Sequence, residues 1–494
     1  MEGIMKHKSI ILILFILFFI PISAFEAKGI EFIDSGQRLG SATSLSVALG
    51  DLDGDGDLDA FVGNFASPNE VWLNNGVGIF SDSGQRLGIS GNNAFSVALG
   101  DLDGDGDLDA FCANVGDALI FSAPNCVYMN NGAGIFTDSG QRLGNLPSTS
   151  VALGDLDDDG DLDAFVANFE NPSEVWLNNG AGIFTDSGQS LGRANSFSVS
   201  LGDLDNDGDL DAFVGSDGGG GNKVWLNNGL GIFSESGQSL GTTDTSSVAL
   251  GDLDSDGDLD VFLARMRSKP NMILINNGSA TFSDSGQYLG SFNSMSVALG
   301  DLDKDGDLDA FIGNWSDSSG EPNQVYLNNG SSVFTDSGLR LGNAPTTSIA
   351  LGDLDGDGDL DAFVANDAST PNEVWWNIPP VVLITLADFK ASPENRKVTI
   401  TWTTASEIDN AGFNLYRAES EDGEYVKINA SLIPAQGSPT SNATYQLIDE
   451  SVKNRTTYYY KLEDIDLSGK STMHGPVSAV PRRLGRDLGL GIRG

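Results

Sequence analysis

Histidine is almost absent from this chain of 494 residues, with only His7 and His474. Cysteine is equally scarce, with only Cys112 and Cys126. Basic residues number 26 against 70 acidic ones, a formal net charge of −44. Each shortage excludes something. An enzyme would be short of parts, since imidazole is the commonest general acid or base and no G-x-S-x-G nucleophile motif occurs. Nucleic acid is a poor partner, because a surplus of this sign repels phosphate. Long apolar runs are also missing beyond Ile10–Ile20, and a membrane span needs ~20 such residues.

That single run decides the compartment. Lys6 and Lys8 precede it, and Pro21 and a small-residue site at Ser23-Ala24 close it. Residues 1–24 read as a secretory signal peptide cut after Ala24, with an uncleaved anchor as the competing reading. The mature chain is then expected to be secreted or held at the cell surface, without a transmembrane span. In an oxidising compartment Cys112 and Cys126 could form a disulfide or stay as buried thiols, and both readings stand.

What the chain has in abundance is one segment. GDLDGDGDLDAF (Gly50 to Phe61) returns six more times, beginning at Asp51, Asp101, Asp155, Asp203, Asp252, Asp301 and Asp353, at spacings of 50, 54, 48, 49, 49 and 52 residues. Its aspartates supply 35 of the 70 acidic residues, so the acidity is one motif repeated and not a general salt adaptation. The period suits a propeller blade of four strands. In the first repeat these are expected at Ser46–Asp53, Leu58–Asn64, Glu70–Asn75 and Ile79–Gly88. The series is permuted. Glu31–Gly40 is a fourth strand with no predecessors, and the last repeat stops after Glu373–Asn377, its third. The simplest closure lets the N-terminal strand complete the last blade and leaves no open sheet edge. The expected fold is therefore all-β: a seven-bladed β-propeller over 30–378, then a C-terminal β-sandwich over 384–481. Residues 482–494 read as a mobile basic tail.

The acidic segment reads as a metal site. Aspartates stand at positions 1, 3, 5, 7 and 9, with glycine at 6 for a sharp turn. The candidate ligands are Asp51, Asp53, Asp55, Asp57 and Asp59; Asp101, Asp103, Asp105, Asp107 and Asp109; Asp155, Asp157, Asp159, Asp161 and Asp163; Asp203, Asp205, Asp207, Asp209 and Asp211; Asp252, Asp254, Asp256, Asp258 and Asp260; Asp301, Asp303, Asp305, Asp307 and Asp309; and Asp353, Asp355, Asp357, Asp359 and Asp361. Positions 1, 3, 5 and 9 offer carboxylates and position 7 its backbone carbonyl. An all-oxygen set suits a hard cation, calcium before magnesium. An EF-hand would need glutamate at position 12, where Val62 stands, and helices on both sides. Without an ion, four carboxylates in nine residues would oppose folding.

D-x-D-x-D-G-x-x-D between strands, followed by an apolar strand such as AFVGN, resembles the FG-GAP or VCBS repeat of the integrin alpha-subunit propeller and of many secreted microbial proteins. The resemblance implies calcium, about one ion per blade. It departs from the integrin pattern in keeping all four carboxylates in every blade. The last hundred residues resemble a fibronectin type III domain, with Trp402 as its core tryptophan and Tyr458 as its corner tyrosine, which implies a spacer or adhesive unit.

Recognition is expected on the other face. In a four-stranded meander the acidic loop and the NNG turn fall on one side and are nearly uniform, while the opposite connections vary, and varied loops on a rigid frame are where binding is usually placed. Phe65, Ile120, Phe169, Arg265, Arg267 and Trp315 are the candidate contacts for an unknown protein or glycan. The row Trp72, Tyr128, Trp176, Trp225, Tyr326 and Trp375 is better explained by packing between blades than by sugar stacking. Sequons at Asn277, Asn314, Asn329, Asn429, Asn442 and Asn454 matter only in a glycosylating host. The reading is a secreted adhesion or recognition scaffold, with a polysaccharide-acting enzyme or a purely structural surface component as alternatives.

Overall fold

The computed structural model describes residues 30–88, 93–116, 123–218, 220–238, 240, 244–316, 321–378, 386–405, 410–436, 443–466 and 471–483. The expected signal segment, Ile120, Asn442 and residues 484–494 of the tail lie outside them. The chain divides into two compact units, Met1–Ile378 and Pro379–Gly494. Both are all-β among the described residues, and no helix there is long and apolar enough to cross a membrane.

The first unit holds seven small antiparallel sheets among the described residues, an arrangement consistent with a β-propeller. The first sheet is typical: Thr43–Gly50, Asp59–Phe65, Glu70–Leu73 and Ser81–Asp82, hydrogen-bonded in sequence order. The second strand, DAFVGNF, is buried over six of its seven residues, because neighbouring sheets cover both its faces. The first strand ends at Gly50, three residues short of expectation, because Asp51 already belongs to the acidic loop. The outer strand is far shorter than the expected Ile79–Gly88. Its polar side chains turn back on their own backbone: Gly84 N–H donates to Asp82 Oδ1 and Gln85 N–H to Ser83 Oγ. Pairing resumes only at a bridge between Asn69 and Leu87.

In the seventh sheet, Thr346–Gly352, Asp361–Asn366 and Glu373–Ile378 are joined by Glu31–Asp34, with Glu31 opposite Ile378 and Asp34 opposite Trp375. Successive sheets touch through their inner strands, and Thr43–Gly50 also touches Thr346–Gly352.

Three repeated fasteners join neighbouring sheets. Phenylalanines meet edge to face, as in Phe61–Phe136 and Phe80–Phe363, with seven such pairs at centroid separations of 5.2 to 5.5 Å. Each is worth about 0.5–1.5 kcal/mol beyond its buried area. Phe32 of the N-terminal strand supplies the seventh, against Phe311. The first asparagine of each NN pair donates to the carbonyl at position 2 of the preceding acidic loop, Asn130 to Leu52 and Asn74 to Leu354, both at 2.8 Å. Glutamines of the outer strands clamp the following sheet's turn: Gln85 donates to Gly134 O and accepts from Phe136 N–H. In the sixth repeat the corresponding residue is Leu339. The seventh sheet has no NNG turn to hold, and Leu339 instead packs in the apolar cluster that contains Phe32.

The aromatic row is buried between sheets, as packing requires. Trp72, for example, shares a cluster with Phe363 of the seventh sheet. Cys112 and Cys126 face each other in direct register on neighbouring strands as buried thiols that are not joined by a disulfide.

The second unit has a sheet of Leu386–Glu394, Lys397–Thr404 and Ala443–Asp449, and another built on Asn410–Ala418, Tyr458–Asp466 and Ser471–Ala479. They share one core around Trp402, which stacks on Tyr445 at 5.2 Å. Tyr458 Oη accepts a hydrogen bond from Lys453 N–H.

Candidate metal centre

Each acidic segment joins the first and second strands of a sheet, and its aspartates take three different jobs. Position 1 shapes the loop: Asp51 accepts from Gly54 N–H at 2.8 Å and from Gly56 N–H at 3.0 Å. Gly56 sits at φ +95°, which a side chain would strain. Position 9 anchors the loop to the sheet. Asp59 accepts from Leu52 N–H at 3.0 Å and from Asn74 N–H at 2.7 Å, and its exposure is 0%. Burial pushes its carboxyl up to about 6 although those two N–H groups hold it down. Its counterparts behave alike, with Asp109, Asp163 and Asp260 at about 6 and Asp211, Asp309 and Asp361 at about 7. A buried carboxylate needs a compensating positive charge.

Positions 1, 3 and 9 converge. One ligand atom from each of Asp51, Asp53 and Asp59 lies within 4.8 Å of the others, as in the sets starting at Asp101, Asp155, Asp203 and Asp252, and two more groups meet the same condition. The third-position oxygens supply an independent observation. Oδ1 of Asp53, Asp157, Asp205 and Asp254 is buried without a hydrogen-bond partner. Burial, then the neighbouring fifth-position charge, raises the Asp53 carboxyl above its usual range. An orphaned carboxylate oxygen beside two further carboxylates fits a hard cation bound by oxygen.

The remaining positions look elsewhere. The fifth-position Asp55 Oδ1 accepts from Asp57 N–H and is not in the named triplet. The seventh-position Asp57 carboxylate lies where a Cβ on Gly76 of the NNG turn would be, so that turn requires glycine at φ +73°. Position 4 reaches the next loop in two repeats: Asn206 Nδ2 donates to Asp258 at 2.7 Å, and Lys304 Nζ pairs with Asp359 at 2.5 Å.

The FG-GAP-like repeat pattern matches residues 51–112, 155–214, 203–263, 252–312 and 303–364, more than half of the chain. The chain belongs to the FG-GAP-like repeat family. Every acidic loop falls within at least one FG-GAP-like match. An amylopullulanase of Thermoanaerobacter thermohydrosulfuricus is 30% identical over 89 residues, 18% of this chain. The chain spans 5% of that protein's length. Among solved structures, a chain from the complex of BBS1N with ARL6DN is similar at 12% identity and a TM-score of 0.48, over 71% of this chain and 98% of that one. The BP39L lectin from Burkholderia pseudomallei is similar at 16% identity and a TM-score of 0.47, over 69% and 99%.

On the face away from the acidic loops, the expected contacts separate into two groups. Arg265 is 6% exposed and gives its guanidinium to Pro270 O. Arg267 pairs with Asp217 and Asp244. Trp315 donates its indole N–H to Asp367 at 2.9 Å. These three also serve as internal ties between or within connections, and of them the Arg267 side chain stays 56% exposed. Phe65 and Phe169 line a cavity together with Phe95 and Phe197. The last two were not expected, because they lie on inner strands and not in varied connections.

Proposed function

We propose that the protein is a secreted or cell-surface recognition scaffold. It comprises a closed seven-bladed propeller over 30–378, stiffened by one calcium ion per acidic loop, and a fibronectin type III-like sandwich over 384–481 that acts as a spacer. It binds protein or glycan on the face away from the ions. The observation that carries the calcium reading is the buried, unpartnered Oδ1 of the third-position aspartate, found in four of the loops beside the carboxylates of positions 1 and 9. Positions 1, 3, 5 and 9 would give carboxylates, and position 7 its carbonyl. The ion would supply the positive charge that the buried ninth aspartate lacks. Closure is supported by the pairing of Glu31–Asp34 with Glu373–Ile378. The sandwich reading is supported by Trp402 at the centre of one core and by the Tyr458 hydroxyl bonded to backbone upstream.

The test is calorimetric titration of metal-stripped protein with calcium, with terbium luminescence as a second readout. One ion per loop is expected. The variant Asp53→Asn with Asp157→Asn should lose the two corresponding sites. Calcium uptake unchanged in that variant would remove the assignment.

A further inference from the structure

The inner strands are nearly one word, SVALG or a close variant, except at the second residue before the valine or isoleucine. There the pairing with the second strand slips in every sheet, for example between Ala94 and Ser96. Such a bulge turns its extra residue out of the regular pleat. In three sheets the extra residue is a hydroxyl used locally: Thr149, Ser246 and Thr347 each donate to a carbonyl of the next inner strand at 2.7 Å. In the other four it is Leu45, Phe95, Phe197 or Met295, and none of these is fully buried.

Phe95 and Phe197 belong to the second and fourth sheets, yet their ring centroids are 6.4 Å apart. Side chains from sheets two apart meet only where the sheets converge. Phe169 packs on Phe197 at 5.6 Å, and Phe65 completes the aromatic wall of a cavity of about 250 Å³. Phe65 ends its strand opposite the acidic loop, so the cavity opens on the other face. Its chemistry is one-sided. Among the described residues no charged side chain lines it, and the Thr149 hydroxyl proton is already given to Ser196 O at 2.7 Å, with Ala167 O as a longer second acceptor. A sugar would surrender its hydration there without finding partners. The volume lies below the ~300–1,000 Å³ of ordinary small-molecule sites and suits one side chain. Even with a divalent ion in each loop, a chain of formal charge −44 stays strongly negative and attracts basic segments.

We propose that this phenylalanine cavity is an anchor pocket for a single apolar side chain carried on a basic segment of a partner protein. The proposal rests on the reading of this face as the recognition surface. It is tested with the calcium-loaded full chain and three peptides, each with four flanking lysines around a central leucine, serine or arginine. The leucine peptide should bind about ten- to a hundred-fold more tightly than the serine peptide, the value of burying a leucine side chain. The double variant Phe95→Ser with Phe197→Ser should erase that difference. If it fails to fold, Val115→Phe, which fills the cavity instead of opening it, gives the same readout. Equal binding of all three peptides that fades with salt would overturn the pocket in favour of simple charge attraction. A preference for arginine would overturn its apolar assignment, and no binding by any peptide would overturn this occupant while leaving the calcium reading intact. A leucine preference that survives in the phenylalanine variants but is lost on Ile79→Ser with Ile135→Ser, beside the NNG turns, would overturn the recognition face as well.

Discussion

The two units of this chain answer the same problem, how to hold strands together, in opposite ways. The second unit has one core, with Trp402, Phe413, Tyr445 and Tyr460 at its centre, and an Arg417–Asp449 ion pair at 2.8 Å. The first divides its apolar side chains among seven clusters, each shared between neighbouring sheets, and links them by the phenylalanine, asparagine and glutamine fasteners. Its sheets are too small to stand alone, and its connecting loops carry most of the chain's negative charge. Stability in the first unit is therefore conditional, on neutralised charge and on every sheet having neighbours. In the second it is local.

Chelation should separate the two most sharply. An ion at a hundred times its Kd adds about 2.7 kcal/mol per site. Removing several should lower the melting temperature of the repeat unit by more than about 10 °C and leave the second transition in place. A single transition that ignores the chelator would end the contrast. Next in size are paired core truncations. Phe32→Ala and Trp402→Ala should each cost about 3–5 kcal/mol, each seen by calorimetry in its own transition only. A smaller effect distinguishes repeats within the first unit. Gln85→Ala strands Phe136 N–H and Gly134 O and should cost about 1–3 kcal/mol. The reverse change, Leu339→Gln, should also destabilise, because no turn awaits the amide and Leu339 packs among apolar side chains. A gain in urea midpoint for Leu339→Gln would show that the glutamine clamp does not depend on the turn. The smallest effect concerns acid. Burial pushes the Asp449 carboxyl up, but hydrogen bonds from Arg417 and Ser451 and the Arg417 charge outweigh it, so it titrates below its usual value. Its contribution is complete above the unfolded value of about 3.9 and is lost as pH falls through the lower folded one. The second transition should therefore be flat from pH 7 to about 5 and decline only below about 4, and Asp449→Asn should weaken that decline.

Much of the first unit was legible because its signals are local and repeated. The period, the permuted fourth strand and the oxygen-rich loop all lie within runs of ten to fifty residues. The outer strand was overread because Ser81 to Gln85 has a strand-like start but side chains that bond to their own backbone. The glutamine clamp was invisible because its partner is a turn in the next repeat, 49 residues away for Gln85 and Gly134. Leu339 was the one readable trace, a departure in the repeat that precedes a missing turn. The aspartate partners of Arg267 and Trp315 were not legible, because charge and aromaticity in a varied connection look alike whether they face a partner or a neighbouring aspartate. Phe95 and Phe197 were missed because a bulge, which sequence alternation does not reveal, sets where they face. In the acidic loop the sequence showed which residue types gather but not that the ninth aspartate is wholly buried and the first two are not.

The pairing of Glu31–Asp34 with Glu373–Ile378 sets an order of events in time. A chain is made from its beginning, so the strand carrying Phe32 emerges more than three hundred residues before its partner. Until Ile378 arrives, that strand has no sheet to join, and the inner strand Thr43–Gly50 lacks its neighbour on one side. A product cut short anywhere in between keeps an open edge at each end and an apolar face with nothing to cover it. The joint thus reports completeness, since only a chain translated through its last repeat can hide its first strand.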